Sequence, residues 1–286
     1  MLTKFKSSMK LEFDMTDLGE MKFFLGIEVL QRVDGIFICQ RKYASEILDR
    51  FGMMDVNVVH NPLTVGFKVV KDEDGLKIDS TQFKQIVGSL MYLSATRPDI
   101  MFAVSLISRF MSSPTQLHFS VAKRILRYIK ATMDYGVFYK RGSSSELIGY
   151  ADSDYTGDQE DSKSTSEYVF MMGEGAVAWS SRKQPIVTLS STEAEYVAAV
   201  GCACQAIWMK KVLKEIGQDQ EECVTNMCDN TSTIKFSKNS VFHGRTKHIR
   251  VRIEKQLADI MTKALKLDSF QGLRKGMGVK AASELN

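Results

Sequence analysis

Four acids in the second half of the chain have the type and placement that phosphate chemistry uses. They are Asp152 in Gly-Tyr-Ala-Asp-Ser-Asp, Glu195 in Ser-Ser-Thr-Glu-Ala-Glu-Tyr, Asp229 in Cys-Asp-Asn and Asp259 in Gln-Leu-Ala-Asp-Ile. Each stands in a different local pattern, so each is expected on a separate structural element. Carboxylates from separate elements meet only if the fold brings them together, and a cluster so formed repels itself. Divalent cations held by oxygen ligands neutralise such a cluster and support in-line attack on a phosphate.

The elements that must position these acids can be read locally. Asp152 ends a strand expected from Glu146 to Asp152, and a strand terminus holds a side chain rigidly. Asp154 falls on the same face two residues on, and Asp158 follows in a loop; all three also suit a solvated strand end. Ser190 and Glu193 form a capping-box pattern at the start of a long helix from about Ser191 to Ile216, closed by Gly217. Glu195 lies ~200° around that helix from Glu193, on the stripe Ala198, Ala199, Cys202, Ala206, Met209 and Leu213. Small residues at the head of that stripe let the helix lie close to a sheet. The competing reading is a plain packing face with a first-turn acid favoured by the helix dipole. Asp229 follows a strand from Cys223 to Cys228 and precedes a short helix from Thr231 to Ser237, where an N-cap is the alternative role. Asp259 is expected inside a helix from Glu254 to Leu265, where an exposed acid needs no function.

The rest of the chain divides around Arg141-Gly-Ser-Ser-Ser145, the best linker candidate. Before it, Met21 to Leu30 and Ile36 to Gln40 read as a hairpin about Asp34-Gly35. Helices are expected from Tyr43 to Phe51, Gln82 to Ala95, Asp99 to Met111 and Gln116 to Met133, with a short strand from Val137 to Tyr139. After it, a second hairpin is expected from Tyr168 to Met172 and Ala176 to Ser180. The order of three strands, helix, strand, helix, helix implies helices on a mixed sheet, an α/β class.

At 286 residues the chain is long enough for two domains or one large one, with 44% hydrophobic and 25% charged residues, as in an ordinary globular protein. The net charge of +4 is mildly basic and compatible with a polyanionic partner. On the helix from Gln116, Lys123, Arg127 and Lys130 share a face that suits a phosphate backbone or, equally, solvent. Arg245, Lys247, His248, Arg250 and Arg252 form a second basic run. The cysteines, Cys39, Cys202, Cys204, Cys223 and Cys228, are odd in number and lack a Cys-x-x-Cys pair, so buried reduced thiols are expected. No apolar run approaches the ~18 residues needed to span a bilayer. No secretion signal is read at the start, so an intracellular site, cytoplasm or nucleus, is expected.

Several stretches carry a resemblance: Asp17-Leu-Gly-Glu-Met-Lys-Phe-Phe-Leu-Gly-Ile-Glu-Val29, Gly88-Ser-Leu-Met-Tyr-Leu93, Arg97-Pro-Asp-Ile100, Lys163-Ser-Thr-Ser166, Ser180-Ser-Arg-Lys-Gln-Pro-Ile-Val187, Leu189-Ser-Ser-Thr-Glu-Ala-Glu-Tyr196 and Gln256-Leu-Ala-Asp-Ile-Met-Thr-Lys263. Together they resemble the Pol polyprotein of plant copia-type LTR retrotransposons over nearly the whole chain. The resemblance implies the C-terminal part of reverse transcriptase over 1–141, a mostly helical remnant of palm end, thumb and connection. It implies a ribonuclease H-like mixed sheet with flanking helices over 146–272, shortened near 250–254, and a tail over 273–286. It further implies cleavage of the RNA strand of an RNA–DNA hybrid with two Mg²⁺ ions, or Mn²⁺, held by Asp152, Glu195, Asp229 and Asp259. Implied partners are the hybrid and other parts of the retrotransposon polyprotein, with no membrane.

The sequence also departs from the family pattern. Tyr-x-Asp-Asp of the polymerase site does not occur, so no polymerisation is expected of this chain alone. Glu167 stands where the family usually has Gly, and Ser162 where it has Arg. A segment holding a helix and the fifth strand is missing between Arg250 and Glu254, and the alternating run His248 to Ile253 is a candidate replacement strand. The alternatives to a nuclease are an inactive remnant that binds nucleic acid and a protein-interaction module using the helical region 82–133. A transposase or integrase is disfavoured because Glu comes second in the acid set.

Overall fold

The computed structural model describes residues 2–14, 16, 19–218, 223–237, 249–252 and 256–285. In chain order the first half holds α1 (Leu2–Glu12), β1 (Phe23–Phe24), β2 (Ile27–Gln31), β3 (Gly35–Cys39), α2 (Arg41–Arg50), α3 (Ser80–Leu93), α4 (Met101–Ser108), α5 (Gln116–Ala131) and β4 (Tyr135–Lys140). The second half holds β5 (Leu147–Asp154), β6 (Thr165–Met172), β7 (Gly175–Lys183), α6 (Ser191–Glu215), β8 (Val224–Met227), α7 (Thr231–Ser237), β9 (Ile249–Arg252), α8 (Leu267–Gly276) and β10 (Val279–Ala281). The chain is α/β, with two five-stranded sheets among the described residues, ordered β1-β2-β3-β4-β10 and β7-β6-β5-β8-β9.

The first sheet is antiparallel throughout. The stretch Met21 to Leu30, expected as one strand, is two. Leu25 and Gly26 both have positive φ, 45° and 75°, and fold β1 back onto β2. A two-residue turn with both φ positive matches the twist of the strands it joins, and glycine takes that conformation without a steric cost. The first half is thus less helical than expected, because β4 joins β3 and β10 returns from the C-terminal stretch to pair with β4.

In the second sheet β5, β6 and β7 are antiparallel, while β8 runs parallel to β5 and β9 parallel to β8. The candidate strand at His248 to Ile253 is present as β9, in register Val224↔Ile249 through Met227↔Arg252. The helix expected from Glu254 to Leu265 is instead a 3-10 turn, Leu257–Met261, among the described residues.

Alternation along β6 divides the packing of this sheet. Phe170 buries against Cys202 and Ala206 of α6, whereas Val169 and Met171 join the large core built on α3, α4 and α5. The sheet is therefore sandwiched between α6 and the helices of the first half. Closeness of α6 depends on missing side-chain atoms. A Cβ at Gly149 of β5 would fall 2.6 Å from Asn226 Oδ1 and 3.1 Å from Cys202 Sγ. Ala194, Glu195, Ala198, Cys202 and Ala206 form the buried stripe of the helix, as its spacing indicates.

Candidate functional site

Asp152 sits near the end of β5, beside the parallel strand β8, and is 4% exposed. Open sheets with parallel strands place ligand sites at the carboxyl ends of those strands. The other three acids arrive there from three further elements. Glu195 comes from the second turn of α6, Asp229 from the residues after β8, and Asp259 from the 3-10 turn.

The acids influence one another pairwise: Asp259 acts on Asp152, Asp152 on Glu195, and Asp229 on Glu195. Burial first, then Asp259, pushes Asp152 up to about 7; Thr262 and the backbone at Ser153 pull the other way. Burial, then Asp152 and Asp229, pushes Glu195 up to about 9. Burial and like charge act together on these two buried carboxyls, and both oppose the ionised form.

Local capping leaves these acids free. Asn230, not Asp229, caps α7, accepting from the backbone N–H of Ser232 and Thr233 at 3.0 Å each. Glu193 spends its carboxylate on the Leu189 N–H at 2.7 Å, while Ser190 accepts from the Glu193 N–H at 3.2 Å. The two acids beside Asp152 have other occupations. Asp154 accepts from the Thr165 N–H and hydroxyl across the β5–β6 pair. Asp158 pairs with Lys183 at 2.6 Å and Arg109 at 3.5 Å.

A divalent metal bound by oxygen fits these residues. Glu195 Oε2 is buried with no hydrogen-bond partner in the described structure, and Lys263 is paired with Asp259 rather than with Glu195. Ligand atoms of Glu195, Asp229 and Cys228 lie within 4.8 Å of one another. Burial pushes the Cys228 thiol up to about 12, so it stays protonated, and the donor set is one of carboxylate oxygens. All five cysteines are free thiols; Cys39, Cys202 and Cys228 are buried as expected, whereas Cys223 is partly exposed and Cys204 exposed.

Sequence reasoning missed three neighbours of the cluster and only marked a fourth. Lys263 ion-pairs with Asp259 at 2.9 Å, an i,i+4 relation visible in the sequence had Asp259 been taken as its centre. Thr262 acts on Asp152, and Gln256 binds the backbone of β5. Glu167 lies directly across from Asp152 on β6, fully buried, with its Oε1 3.1 Å from Ser181 Oγ. Burial, with Asp154 and Asp152, holds its carboxyl well above the usual range.

Lys123, Arg127 and Lys130 of α5 each have a contact within the chain. Arg127 donates to the Asn57 carbonyl at 2.6 Å and Lys130 to the Val56 carbonyl at 2.8 Å, tying down the loop after α2. The ammonium of Lys123 lies over the Phe119 ring, 4.5 Å from its centroid. Arg245, Lys247 and His248 lie outside the described residues.

A family model for reverse transcriptase (RNA-dependent DNA polymerase) matches residues 1–65. The chain is similar to the retrovirus-related Pol polyprotein from transposon RE1 of Arabidopsis thaliana, 36% identical over 93% of this chain. It is 37% identical over 94% of its length to that from transposon TNT 1-94 of Nicotiana tabacum. It is also 37% identical to an uncharacterised mitochondrial protein of Arabidopsis thaliana, over 68% of this chain and 81% of that protein. The chain therefore belongs to the family of Pol polyproteins of plant copia-type retrotransposons, and includes part of the reverse transcriptase region. It spans 20% of the RE1 polyprotein and 21% of the TNT 1-94 polyprotein.

Proposed function

We propose that residues 146–272 form a ribonuclease H-like unit that hydrolyses the RNA strand of RNA–DNA hybrids, following a reverse transcriptase unit over 1–141. The observation that carries this reading is the convergence of Asp152, Glu195, Asp229 and Asp259 from four elements at the end of β5. The sheet order, with three antiparallel strands and two parallel ones beyond, supports it.

Asp152, Glu195, Asp229 and Asp259 would hold Mg²⁺ or Mn²⁺, which when bound supplies activation of water and stabilisation of the departing 3′ oxygen. The chain's own contribution is geometry and a dry, negative surface. Asp152 is fixed by β5 and Glu195 by the close seat of α6, so neither must reorganise during the reaction. Exposed Asp229 and half-buried Asp259 form the open side, where a phosphate can approach. Lys263 compensates charge at Asp259. Lys123, Arg127 and Lys130 add positive charge along α5 for a phosphate backbone, a role that is part of the same proposal.

The test is cleavage of an end-labelled RNA–DNA hybrid by the full chain in Mg²⁺ and in Mn²⁺. Cleavage of the RNA strand is expected, and Asp152→Asn should abolish it. Absence of cleavage by well-folded protein in either metal would reject the nuclease and leave a remnant that binds nucleic acid without cutting it.

A further inference from the structure

The 3-10 turn that carries Asp259 packs on the sheet without being part of it, so something must fix its position to the scale of a bond. Gln256, the residue just before the turn, does this through its side chain. Its Nε2 donates to the Ala151 carbonyl at 2.6 Å, and the residue is 6% exposed. Ala151 is the residue before Asp152. The pairing of β5 with β8 ends at Tyr150, so the Gln256 amide takes over where the neighbouring strand leaves off. The far end of the turn is tied separately, by the Ser181 hydroxyl donating to the Met261 carbonyl at 3.1 Å. The amide of Gln256 does not cap its own turn; it is spent on the strand that holds the partner acid.

We propose that Gln256 is a positioning residue for the acid site, its amide pinning Asp259 to Asp152 across the junction of β5 and the 3-10 turn. The inference rests on reading the four acids as a metal site. Its consequence is that metal affinity depends on a neutral side chain that is not itself a ligand. Partners of this kind are worth about 10- to 100-fold in metal affinity.

The experiment is calorimetric titration of the full chain with Mg²⁺ alone, in wild type, Gln256→Met, Asp259→Asn and the double variant. Methionine matches glutamine in length and lacks the donor; circular dichroism confirms that the variant folds. Gln256→Met is expected to weaken Mg²⁺ binding by about 10- to 100-fold. If Gln256 acts through Asp259, the double variant binds no more weakly than Asp259→Asn, a non-additivity that a general loss of stability does not produce. Wild-type affinity in Gln256→Met, or additive losses in the double variant, would overturn the inference while leaving the nuclease reading intact. If the wild type binds no Mg²⁺, the nuclease reading falls instead. Amide exchange of residues 257–262 in the metal-free proteins then decides the clamp: faster exchange in Gln256→Met supports it, and unchanged exchange removes it.

Discussion

Around Arg97 the chain buries charges and pairs them; around Asp152 it buries carboxyls against one another. Arg97 is 1% exposed and holds Asp99 with two parallel bonds, Nε to Oδ1 at 2.9 Å and Nη2 to Oδ2 at 2.8 Å. Its remaining donors reach the Thr132 carbonyl and hydroxyl, both at 2.7 Å. Tyr128 donates to Asp99 at 2.5 Å and accepts from Arg274 of α8 at 2.9 Å. Burial alone would push Asp99 up, yet the Arg97 guanidinium, its bonds and Tyr128 hold it below the ordinary carboxylate value. At Asp152 burial acts in the same direction and the neighbours reinforce it. The difference teaches what each region is for. The first network pairs its buried charges and joins α8 to the helical core, whereas the second gathers carboxyls with Lys263 as the cation paired to Asp259.

Removing an acid should therefore act with opposite sign in the two regions. The largest effect is expected at the paired network. Asp99→Ala leaves the Arg97 charge buried without its partner and should cost about 3–5 kcal/mol, measured by urea denaturation. A loss within error would show that water reaches Arg97 and that the network is not closed. At the acid site, Glu195→Gln removes repulsion and should stabilise the metal-free chain by about 0.5–2 kcal/mol while abolishing cleavage. Glu167→Gln should stabilise in the same direction. A destabilised Glu195→Gln would contradict the picture of unrelieved repulsion.

The pH dependence sharpens the contrast. The folded value of Asp99 lies below its unfolded value of about 3.9, so its stabilisation is present above that pH and is lost as pH falls through the folded value. The melting temperature of wild type should fall more steeply with acid, below about pH 4, than that of Asp99→Asn. Equal slopes would mean that Arg97 does not set the acid limb. The smallest effect concerns the surface of α5. Lys123→Ala should reduce the salt dependence of hybrid binding by about one unit of slope, with little change in stability.

Much of the fold could be read locally because its elements carry strong local signals. The long helix is announced by Ser190 and Glu193 and ended by Gly217, which adopts φ 77°. The hairpin β6–β7 follows from alternation and the glycines at 173 and 175. What was misread depended on partners distant in sequence. Met21 to Leu30 looks continuous until Leu25-Gly26 turns it back, and the Leu25 carbonyl there receives the Tyr92 hydroxyl from α3. The stretch 254–265 has helical composition, but Gln256 and Met261 are tied to β5 and β7 at the two ends of a five-residue turn. Arg127 and Lys130 look like free surface cations, yet both find carbonyls in a loop some seventy residues earlier.

The acids follow the same division. Their types, their order and the small-residue stripe beneath Glu195 are fixed by sequence, and the departure at Glu167 was visible there as well. That Glu167 faces Asp152 across a strand pair, that Asn230 relieves Asp229 of capping, and that Lys263 joins Asp259 are decided by the tertiary structure. Sequence determines what each side chain can do and which backbone state it prefers, because those are properties of a few neighbouring residues. Whether four carboxyls share one place depends on strand order, on the close approach of α6 at Gly149 and on a single glutamine amide. Those are contacts between residues far apart in the chain, and only packing selects them.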